Sequence, residues 1–366
     1  MRGDPLTISS TPMALAWLAA ILIGGLSGLV ALGFCWVLLF FGGEDSASKH
    51  GISDTLSSRV GGVAVVVYLL VNTGYQSLFS VYEISSLEVA ALSGLILFFS
   101  IGLYEDLSGS TSAMRRFLAM LLLASMLVVY ERNLILISAG IPWVDWVLQL
   151  SSVAPALFTA LCIAFLPNAF NTADGANGLV GGLSLIALAT LGALIPNTLS
   201  MLQLSGAVGC LIFLIFNLYT GRFFLGDGGA YALGTLVGCS LIHVANSALV
   251  STWFLLSLVF YPVADLMWSM ARRAFVGRPV LQPDDLHLHN LVFERVKRLQ
   301  GLSVRSNNVT GMAIVTTFCL FPAIFAWTGT LSLDADRWFY IVAAQWLLYL
   351  SAWFSLRSRT VALVSG

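Results

Sequence analysis

The sequence predicts an all-α integral membrane protein, because the chain is too apolar for a soluble protein and its apolar residues form long runs. The chain has 366 residues, of which 58% are hydrophobic and 10% are charged. An ordinary globular domain carries about 25% charged residues. A membrane-spanning helix needs about 20 mostly apolar residues, since lipid cannot hydrogen-bond to exposed peptide groups. Runs of this kind recur along the whole chain, so we expect a bundle of transmembrane helices.

About eleven apolar runs are long enough to be predicted spans. They cover residues 13–41, 60–79, 87–103, 117–137, 153–167, 178–195, 199–220, 230–248, 250–270, 310–329 and 338–356. The first run exceeds the apolar part of a signal peptide, so we expect it to be retained as an anchor. The 5 cysteines lie inside apolar runs without disulfide or metal-ligand spacing, which indicates packing residues.

The distribution of basic residues predicts the orientation of the chain. If loops alternate sides from an outer N-terminus, the outer segments hold only Arg2, Arg132 and Arg337 of the 17 Lys and Arg residues. Cytoplasmic loops are enriched in Lys and Arg. We therefore predict a periplasmic N-terminus and a cytoplasmic C-terminus. The formal net charge of −1 gives no basic surface that would favour nucleic acid.

The polar motifs fall in the predicted inner loops. These loops cover about residues 42–59, 104–116, 168–177, 221–229 and 271–309. We find no soluble domain and no repeat between the spans. The sequence thus predicts one membrane domain over residues 1–366, with its active site on cytoplasmic loops.

Two adjacent acids, Glu105 and Asp106, follow the third predicted span. Adjacent carboxylates repel each other, which is costly near lipid unless a cation joins them. Arg115 and Arg116 begin the next span and lie close enough to receive an anionic headgroup. A solvated helix end is the alternative interpretation of the acidic pair.

A second motif places polar residues at intervals of three. They are Asn168, Asn171, Asp174 and Asn177. This spacing keeps the side chains on neighbouring positions of a helical turn, and Gly175 and Gly178 allow backbone to approach a ligand. The motif therefore indicates a polar binding stripe, while a polar contact between helices or a capping loop is the alternative.

Asp227 lies among glycines in the string Leu225-Gly-Asp-Gly-Gly, just before an apolar run. The N-terminus of a helix favours anions, and glycine lets a phosphate come close. A carboxylate also suits Mg²⁺, which takes one or two acidic ligands together with water and substrate phosphate. A capping aspartate is the alternative.

His287 and His289 follow the ninth predicted span. Residues two apart cannot share a helical face, so these side chains project together only from an extended or irregular segment. Zinc would need a third ligand, which the nearby sequence lacks, so we favour cationic or hydrogen-bond-donating imidazoles that face a diphosphate. Asp265, near the inner end of that span, is expected to pair with a basic residue near Arg272.

Four motifs in this order resemble the polyprenyl-phosphate N-acetylhexosamine-1-phosphate transferases, glycosyltransferase family 4, and most closely their WecA-type bacterial branch. The motifs are the acidic pair, Asn-x-x-Asn-x-x-Asp-Gly-x-x-Gly-Leu, Gly-Asp-x-Gly and Pro-Asp-x-x-His-x-His. The resemblance extends from the first inner loop to about residue 300. Within that loop the string from Lys49 to Arg59 is shorter than the corresponding string of the family.

The resemblance implies transfer of N-acetylhexosamine-1-phosphate from a UDP-sugar to undecaprenyl phosphate, which releases UMP. UDP-N-acetylglucosamine is the expected donor, with a 6-deoxy sugar as the alternative, and the product would initiate a surface polysaccharide such as O-antigen at the bacterial inner membrane. The expected cofactor is Mg²⁺, with Mn²⁺ as a substitute. The resemblance makes Asp106, Glu105 and Asp174 catalytic and gives the metal to Asp227 and Asp174. The implied substrate-binding residues are Asn168, Asn171, Asn177, Arg115, Arg116, Arg278, His287, His289, Lys49 and Arg59.

Three departures from the family pattern leave other functions open. Glu105 and Asn177 stand where the family commonly has Asp, and Asn290 replaces a further His. A member with altered or lost catalysis that only binds lipid or nucleotide is one alternative, and a transporter is another, because several spans carry acids. The transferase interpretation requires that Asp106, Asp174, Asp227 and His289 converge at the inner leaflet.

Overall fold

The structure is a computed structural model that describes residues 45–46, 56–57, 61–79, 83–109, 111–221, 224–280, 284–301 and 304–364. These residues form an all-helical, multi-pass membrane protein apart from one short strand pair, in which β1 (Asp45–Ser46) runs antiparallel to β2 (Leu56–Ser57). The predicted span 13–41, Lys49 and Arg59 lie outside the described residues.

The helices follow the predicted apolar runs. They are α1 (Gly61–Phe79), α2 (Ser86–Ser108), α3 (Ala113–Tyr130), α4 (Pro142–Leu148), α5 (Ala154–Ala173), α6 (Leu179–Leu194), α7 (Ser200–Thr220), α8 (Gly226–Asn246), α9 (Thr252–Leu258), α10 (Phe260–Phe275), α11 (Leu288–Gln300), α12 (Val304–Val315), α13 (Phe321–Trp327) and α14 (Trp338–Val364). A 3₁₀ turn covers Arg132–Leu134, and a π turn, Thr316–Leu320, joins α12 to α13.

Within the described ranges, 8 continuous helical segments are long and apolar enough to cross a membrane, or 9 if α9 and α10 form one bent span. Helix α6 is apolar as well but has only 16 residues. The number of about eleven spans and the orientation of the termini stay predictions.

Two helices continue past the predicted ends of their spans. Helix α2 ends at Ser108 and α5 at Ala173, which places Glu105, Asp106, Asn168 and Asn171 in final helical turns. An apolar run stops at the first polar residues, whereas a helix stops where its backbone hydrogen bonds are broken. For α2 this happens at Gly109, whose φ of 58° is left-handed.

The ninth predicted span is broken in the structure. Helices α9 and α10 meet at 82°, and Pro262 in the first turn of α10 has no backbone N–H to donate to α9. Gln345 of α14 compensates at the break, because its Nε2 donates to the carbonyl oxygens of Ser257 (3.0 Å) and Phe318 (2.7 Å). The broken span is therefore held by side-chain hydrogen bonds from the last helix.

Helix α8 is the centre of the bundle, and 83% of its most apolar stretch is buried inside the protein. Small residues let its neighbours approach closely, as is usual between membrane helices. A Cβ on Gly102 of α2 would lie 2.5 Å from the carbonyl carbon of Asp227 and from the nitrogen of Gly228. A Cβ on Gly234 would lie 2.6 Å from the Cα of Pro167 in α5. These contacts set the distance between the ends of α2, α5 and α8.

We expect Gly102→Ala to push α2 away from the start of α8, because the added methyl group meets backbone that cannot rotate aside. The purified variant should unfold at a lower temperature than the wild type in detergent. Gly74→Ala in α1 is the matched control, since a Cβ there meets nothing within 4 Å. Equal unfolding temperatures for the two variants would contradict this account of the packing.

Candidate functional site

The carboxylate of Asp106 binds the N-terminus of α8. Its Oδ1 accepts from the N–H of Asp227 at 3.0 Å, and its Oδ2 accepts from the N–H of Gly228 at 2.9 Å. The first N–H groups of a helix have no partner within the helix and carry partial positive charge. Asp106 therefore accepts hydrogen bonds from two of these N–H groups and fixes the backbone of Asp227, which carries the next carboxylate.

Arg116 of α3 bridges two acids from different helices. Its Nη1 lies 2.7 Å from Oε1 of Glu105 and 3.4 Å from Oδ2 of Asp227. The three side chains are 19%, 16% and 22% exposed, so the cluster is partly open to solvent or ligand. The other carboxylate oxygen of Glu105 accepts from the backbone N–H of Thr111 at 3.0 Å and from its hydroxyl. Glu105 is thus held in place by a cation and a loop.

The polar stripe of α5 approaches this cluster through Asn171. Its Nδ2 donates to the hydroxyl of Tyr231 at 3.3 Å, and Tyr231 lies near enough to Asp227, Arg116 and Glu105 to interact with their charges. Asn168, one turn earlier, instead donates to the carbonyl oxygen of Ala164 at 2.8 Å. Asn171 therefore faces the acidic cluster, while Asn168 contacts its own helix.

The donor atoms of the cluster suit a hard cation. Glu105 and Asp227 already bind the guanidinium of Arg116 from two sides. Among the described residues, no group of three His, Cys, Asp or Glu side chains could hold a metal ion. Mg²⁺ needs fewer protein ligands than three, since it usually binds one or two carboxylates together with water and substrate phosphate oxygens. The residues present therefore fit Mg²⁺ as a partner of bound phosphate and do not form an all-protein cage.

His289 lies against the loop that follows Asp174. A Cβ on Gly175 would lie 2.1 Å from Nε2 of His289, so only glycine leaves room for the ring. The hydroxyl of Tyr261 accepts from the backbone N–H of His289 at 3.2 Å and lies 2.9 Å from its Nδ1. If the hydroxyl donates to Nδ1, the ring proton is on Nε2. Burial lowers the pKa of His289 to about 4, so the ring is neutral at physiological pH.

His287 has different surroundings although it lies only two residues away. Its Nδ1 donates to Oδ2 of Asp265 at 2.7 Å. Burial alone would lower the pKa of His287, but the carboxylate of Asp265 raises it above its ordinary value. The two imidazole rings lie parallel, with centroids 5.5 Å apart. His287 precedes α11 with extended backbone, as its spacing from His289 predicts, whereas His289 itself lies in the first turn of α11.

Asp265 pairs with His287 and not with a basic residue near Arg272, so that prediction is wrong. Arg272 instead binds Asp284 at 2.6 Å. The loop before α11 brings Asp284 and His287 back to α10, where they bind Arg272 and Asp265.

Asn177 lies in a buried cluster of four amides. Its backbone N–H donates to Oδ1 of Asn307 at 3.1 Å and its Nδ2 to Oδ1 of Asn308 at 2.9 Å, while Nδ2 of Asn217 donates to Asn177 at 3.4 Å. Only 1% of Asn177 is exposed. This cluster joins α6 to α7 and α12, so the geometry gives Asn177 a structural role and no support for substrate binding.

Two predicted arginines lie at the surface. Arg115 is exposed and donates from Nε to the hydroxyl of Ser112 at 3.2 Å. Arg278 is exposed in the loop after α10. Their predicted substrate contacts stay predictions, as do those of Lys49 and Arg59 outside the described residues.

The structure brings part of the predicted site together: the acidic cluster with Arg116 and Asn171, and, separately, His289 against Gly175. Asp106 contacts Asp227 directly. Asp174 follows Asn171, which reaches the cluster through Tyr231, and precedes Gly175, which packs on His289. Asp174 is therefore three residues after the amide that contacts Tyr231 and next to the glycine that contacts His289. The sequence analysis did not identify Tyr231, Tyr261 or Tyr349 as site residues. Tyr231 and Tyr261 each lie four positions from a predicted acid, Asp227 and Asp265, whereas Tyr349 lies far from every motif and has no such signal.

The chain is similar in sequence to a protein family and to several named transferases. Residues 89–245 match the model of Glycosyl transferase family 4. The chain is 26% identical over 263 residues to the probable undecaprenyl-phosphate N-acetylglucosaminyl 1-phosphate transferase of Bacillus subtilis, covering 69% of this chain and 70% of the relative. It is 30% identical over 241 residues to the decaprenyl-phosphate N-acetylglucosaminephosphotransferase of Mycolicibacterium smegmatis, covering 58% of each.

A third relative is named for the transfer of a different group. The phospho-N-acetylmuramoyl-pentapeptide-transferase of Thermosynechococcus vestitus is 30% identical over 175 residues, covering 46% of this chain and 45% of the relative. The matched residues include the acidic cluster around Asp106 and Asp227 and the stripe that ends at Asp174. The chain is therefore similar to glycosyl transferase family 4 over residues 89–245, and to transferases named for moving N-acetylglucosamine-1-phosphate to a polyprenyl phosphate.

Proposed function

We propose that this protein transfers N-acetylglucosamine-1-phosphate from UDP-N-acetylglucosamine to a polyprenyl phosphate and releases UMP. Two relatives bear the names of transferases that move this group to undecaprenyl or decaprenyl phosphate. The observation that supports the proposal most strongly is the contact of Arg116 with both Glu105 and Asp227, beside Asp106. One guanidinium among three carboxylates at the end of a helix bundle is suited to a charged phosphate ligand and its cation.

The reaction joins two phosphates. An oxygen of the acceptor phosphate forms a bond to the sugar-linked phosphorus of the donor, and the bond from that phosphorus to the bridging oxygen breaks. UMP leaves with the bridging oxygen, and the product is a lipid diphosphate sugar. Bound at Asp227, with Asp174 nearby, Mg²⁺ would neutralise negative charge on the donor diphosphate. Arg116 and the imidazole of His289 would hold the reacting oxygens in line.

The acceptor needs little activation. A phosphomonoester has a second pKa near 6, so the acceptor phosphate is mostly dianionic at neutral pH. In this proposal Asp106 takes any residual proton or positions the acceptor through the N-terminus of α8, and the phosphate attacks directly. A phosphorylated Asp106 trapped during a single turnover would instead establish a covalent intermediate.

The departures from the family pattern are compatible with catalysis in this structure. Asn177 belongs to the buried amide cluster, so an aspartate is not needed there for contact with substrate. Glu105 reaches Arg116 at 2.7 Å despite its additional methylene group. We therefore favour an active transferase over a member that only binds lipid or nucleotide.

The cellular location, the acceptor lipid and the donor sugar are also part of the proposal. We place the protein in the inner membrane of a bacterium, with undecaprenyl phosphate as acceptor and with the product feeding a surface polysaccharide. Discrimination among donor sugars depends on one or two hydroxyl or acetamido contacts, so a 6-deoxy N-acetylhexosamine is the alternative donor.

The direct test supplies purified protein with UDP-N-acetylglucosamine, undecaprenyl phosphate and Mg²⁺. We expect release of UMP together with a lipid diphosphate sugar, both lost when EDTA removes the metal. A parallel reaction with a UDP-linked 6-deoxy N-acetylhexosamine identifies the preferred sugar. Nucleotide binding without UMP release from either donor would favour the member that lacks catalysis.

We expect Asp227→Asn to lower turnover by about 100-fold or more, similar to the loss of a preorganised electrostatic contact. The amide keeps the size of the side chain but removes its charge, so the variant should also need more Mg²⁺ for half-maximal rate. Asp336→Asn at an exposed position before α14 is the control. A near-normal rate of Asp227→Asn at limiting Mg²⁺ would exclude Asp227 from the metal site.

We expect His289→Ala to impair use of the donor while binding of the acceptor lipid is retained. Because burial lowers the pKa of His289 to about 4, the ring acts as a neutral donor. The variant should therefore have a higher KM for the UDP-sugar. Its pH–rate profile above about pH 5 should keep the same shape as that of the wild type. His243→Ala, near the other end of α8, is the control. Unchanged kinetics for the UDP-sugar would argue against contact between His289 and the diphosphate.

A further inference from the structure

One face of the last helix carries a regular series of polar and aromatic side chains. Gln345, Tyr349, Trp353 and Arg357 follow one another at intervals of four. Residues four apart in a helix lie on the same face. This series lies outside residues 89–245, which match the family model. Its contacts lead to the segment that bears the two histidines.

Tyr349 contacts the most deeply buried acid of the site. Asp265 is 1% exposed, and its Oδ1 accepts from the hydroxyl of Tyr349 at 2.7 Å and from the N–H of Leu288 at 3.0 Å. Its Oδ2 accepts from Nδ1 of His287 at 2.7 Å. A buried carboxylate is costly unless charge and hydrogen bonds compensate it. These three bonds join α10, α11 and α14 at one point.

Trp353 secures the loop one turn further along. Its Nε1 donates to the carbonyl oxygen of Leu286 at 2.8 Å. The guanidinium groups of Arg272 and Arg357 lie 5.0 and 4.9 Å from the ring of Trp353, within the range of a cation–π interaction. Arg272 also binds Asp284, at the start of the same loop. Trp353 of the last helix therefore holds the loop 284–288 in two ways. It donates to the backbone carbonyl of Leu286, and its ring contacts Arg272, which binds the carboxylate of Asp284.

We propose that Asp265, held by Tyr349, and Trp353 are positioning residues that fix His287 for contact with the donor diphosphate. The inference rests on the proposed transferase function. Because Nδ1 of His287 is bound to Asp265, Nε2 is the ring nitrogen left for a ligand, and it has no hydrogen-bond partner within the described part of the chain. The ring lies parallel to that of His289, which packs against Gly175 beside Asp174.

The charges around His287 support a cationic ring. Burial opposes the charge, and so does Arg272, whereas the carboxylates of Asp265 and Asp284 favour it strongly enough to raise the pKa of His287. His289 is neutral, and the nearby phenols of Tyr261 and Tyr349 are uncharged. His287 is thus the imidazole that can offer a diphosphate both a proton and positive charge.

The first test follows the protonation of His287 by NMR of the full chain in nanodiscs with ¹⁵N-labelled histidine. The chain has 4 histidines, and His287→Gln assigns the relevant signals. We expect His287 to titrate above the ordinary histidine range and Asp265→Asn to move that midpoint to lower pH. Tyr349→Phe should change the ¹⁵N chemical shifts of the His287 ring. Tyr340→Phe, an exposed tyrosine of the same helix, should not.

The second test is kinetic. We expect Asp265→Asn to lower kcat/KM for the UDP-sugar by about 10- to 100-fold, as for loss of a group that orients a histidine in metal sites. The fall of activity at high pH should begin at lower pH, because His287 loses its proton earlier. Tyr349→Phe should raise the KM for the UDP-sugar with smaller effects on kcat and on the KM for the lipid, and Trp353→Phe should act in the same direction.

The positioning proposal and the proposed transferase function can be refuted independently of each other. An unchanged His287 titration in Asp265→Asn, or identical behaviour of Tyr349→Phe and Tyr340→Phe, would overturn the positioning proposal even in an active enzyme. A wild-type protein that releases no UMP would refute the proposed function, and the titration measured without substrate would still decide whether Asp265 controls His287. Should Asp265→Asn fail to fold, Tyr349→Phe provides the same comparison.

Discussion

The carboxylate of Asp106 on the N-terminus of α8 is the interaction on which the acidic cluster depends. It brings Asp106 and Asp227 together although 121 positions separate them. Two such carboxylates would repel each other, but the partial positive charge of the helix terminus, about half a unit, compensates part of this cost. Arg116 compensates more of it through Glu105 and Asp227. Three carboxylates against this positive charge leave the cluster negative, which is the electrostatic basis for proposing a divalent cation there.

The contact between Asp106 and the N-terminus of α8 requires the backbones of α2 and α8 to lie close together. Membrane helices gain little from the hydrophobic effect and associate through packing and hydrogen bonds. Gly102 lets α2 lie against the first turn of α8, and Asp106 follows one turn later on the same face. Gly62 and Gly229 likewise bring the starts of α1 and α8 into contact. The positions of the charged groups are thus fixed by residues that carry no charge.

The structure confirms the predicted approach of Asp106 to Asp227, but most partners of the motif residues were not predicted. Glu105, Asp106 and Asp227 could be identified because acids are rare next to apolar runs. The partner of Asp265 was predicted wrongly, since spacing along one helix favours Arg272, whereas the loop 284–288 places His287 nearer. The amide partners of Asn177 lie up to 131 positions away. A single sequence contains no signal for such contacts, because amides and tyrosines do not show which helix face they meet.

The histidine motif illustrates how surroundings give two identical side chains different chemistry. His287 binds a carboxylate through Nδ1, whereas Nδ1 of His289 meets a phenol. The carboxylate of Asp265 raises the pKa of His287 despite burial, whereas burial lowers the pKa of His289, so the two pKa values move in opposite directions. Two cations 5.5 Å apart would repel each other. One cation beside one neutral donor avoids that cost and still presents two N–H groups, so the arrangement suits a diphosphate, whose oxygens accept hydrogen bonds and carry charge.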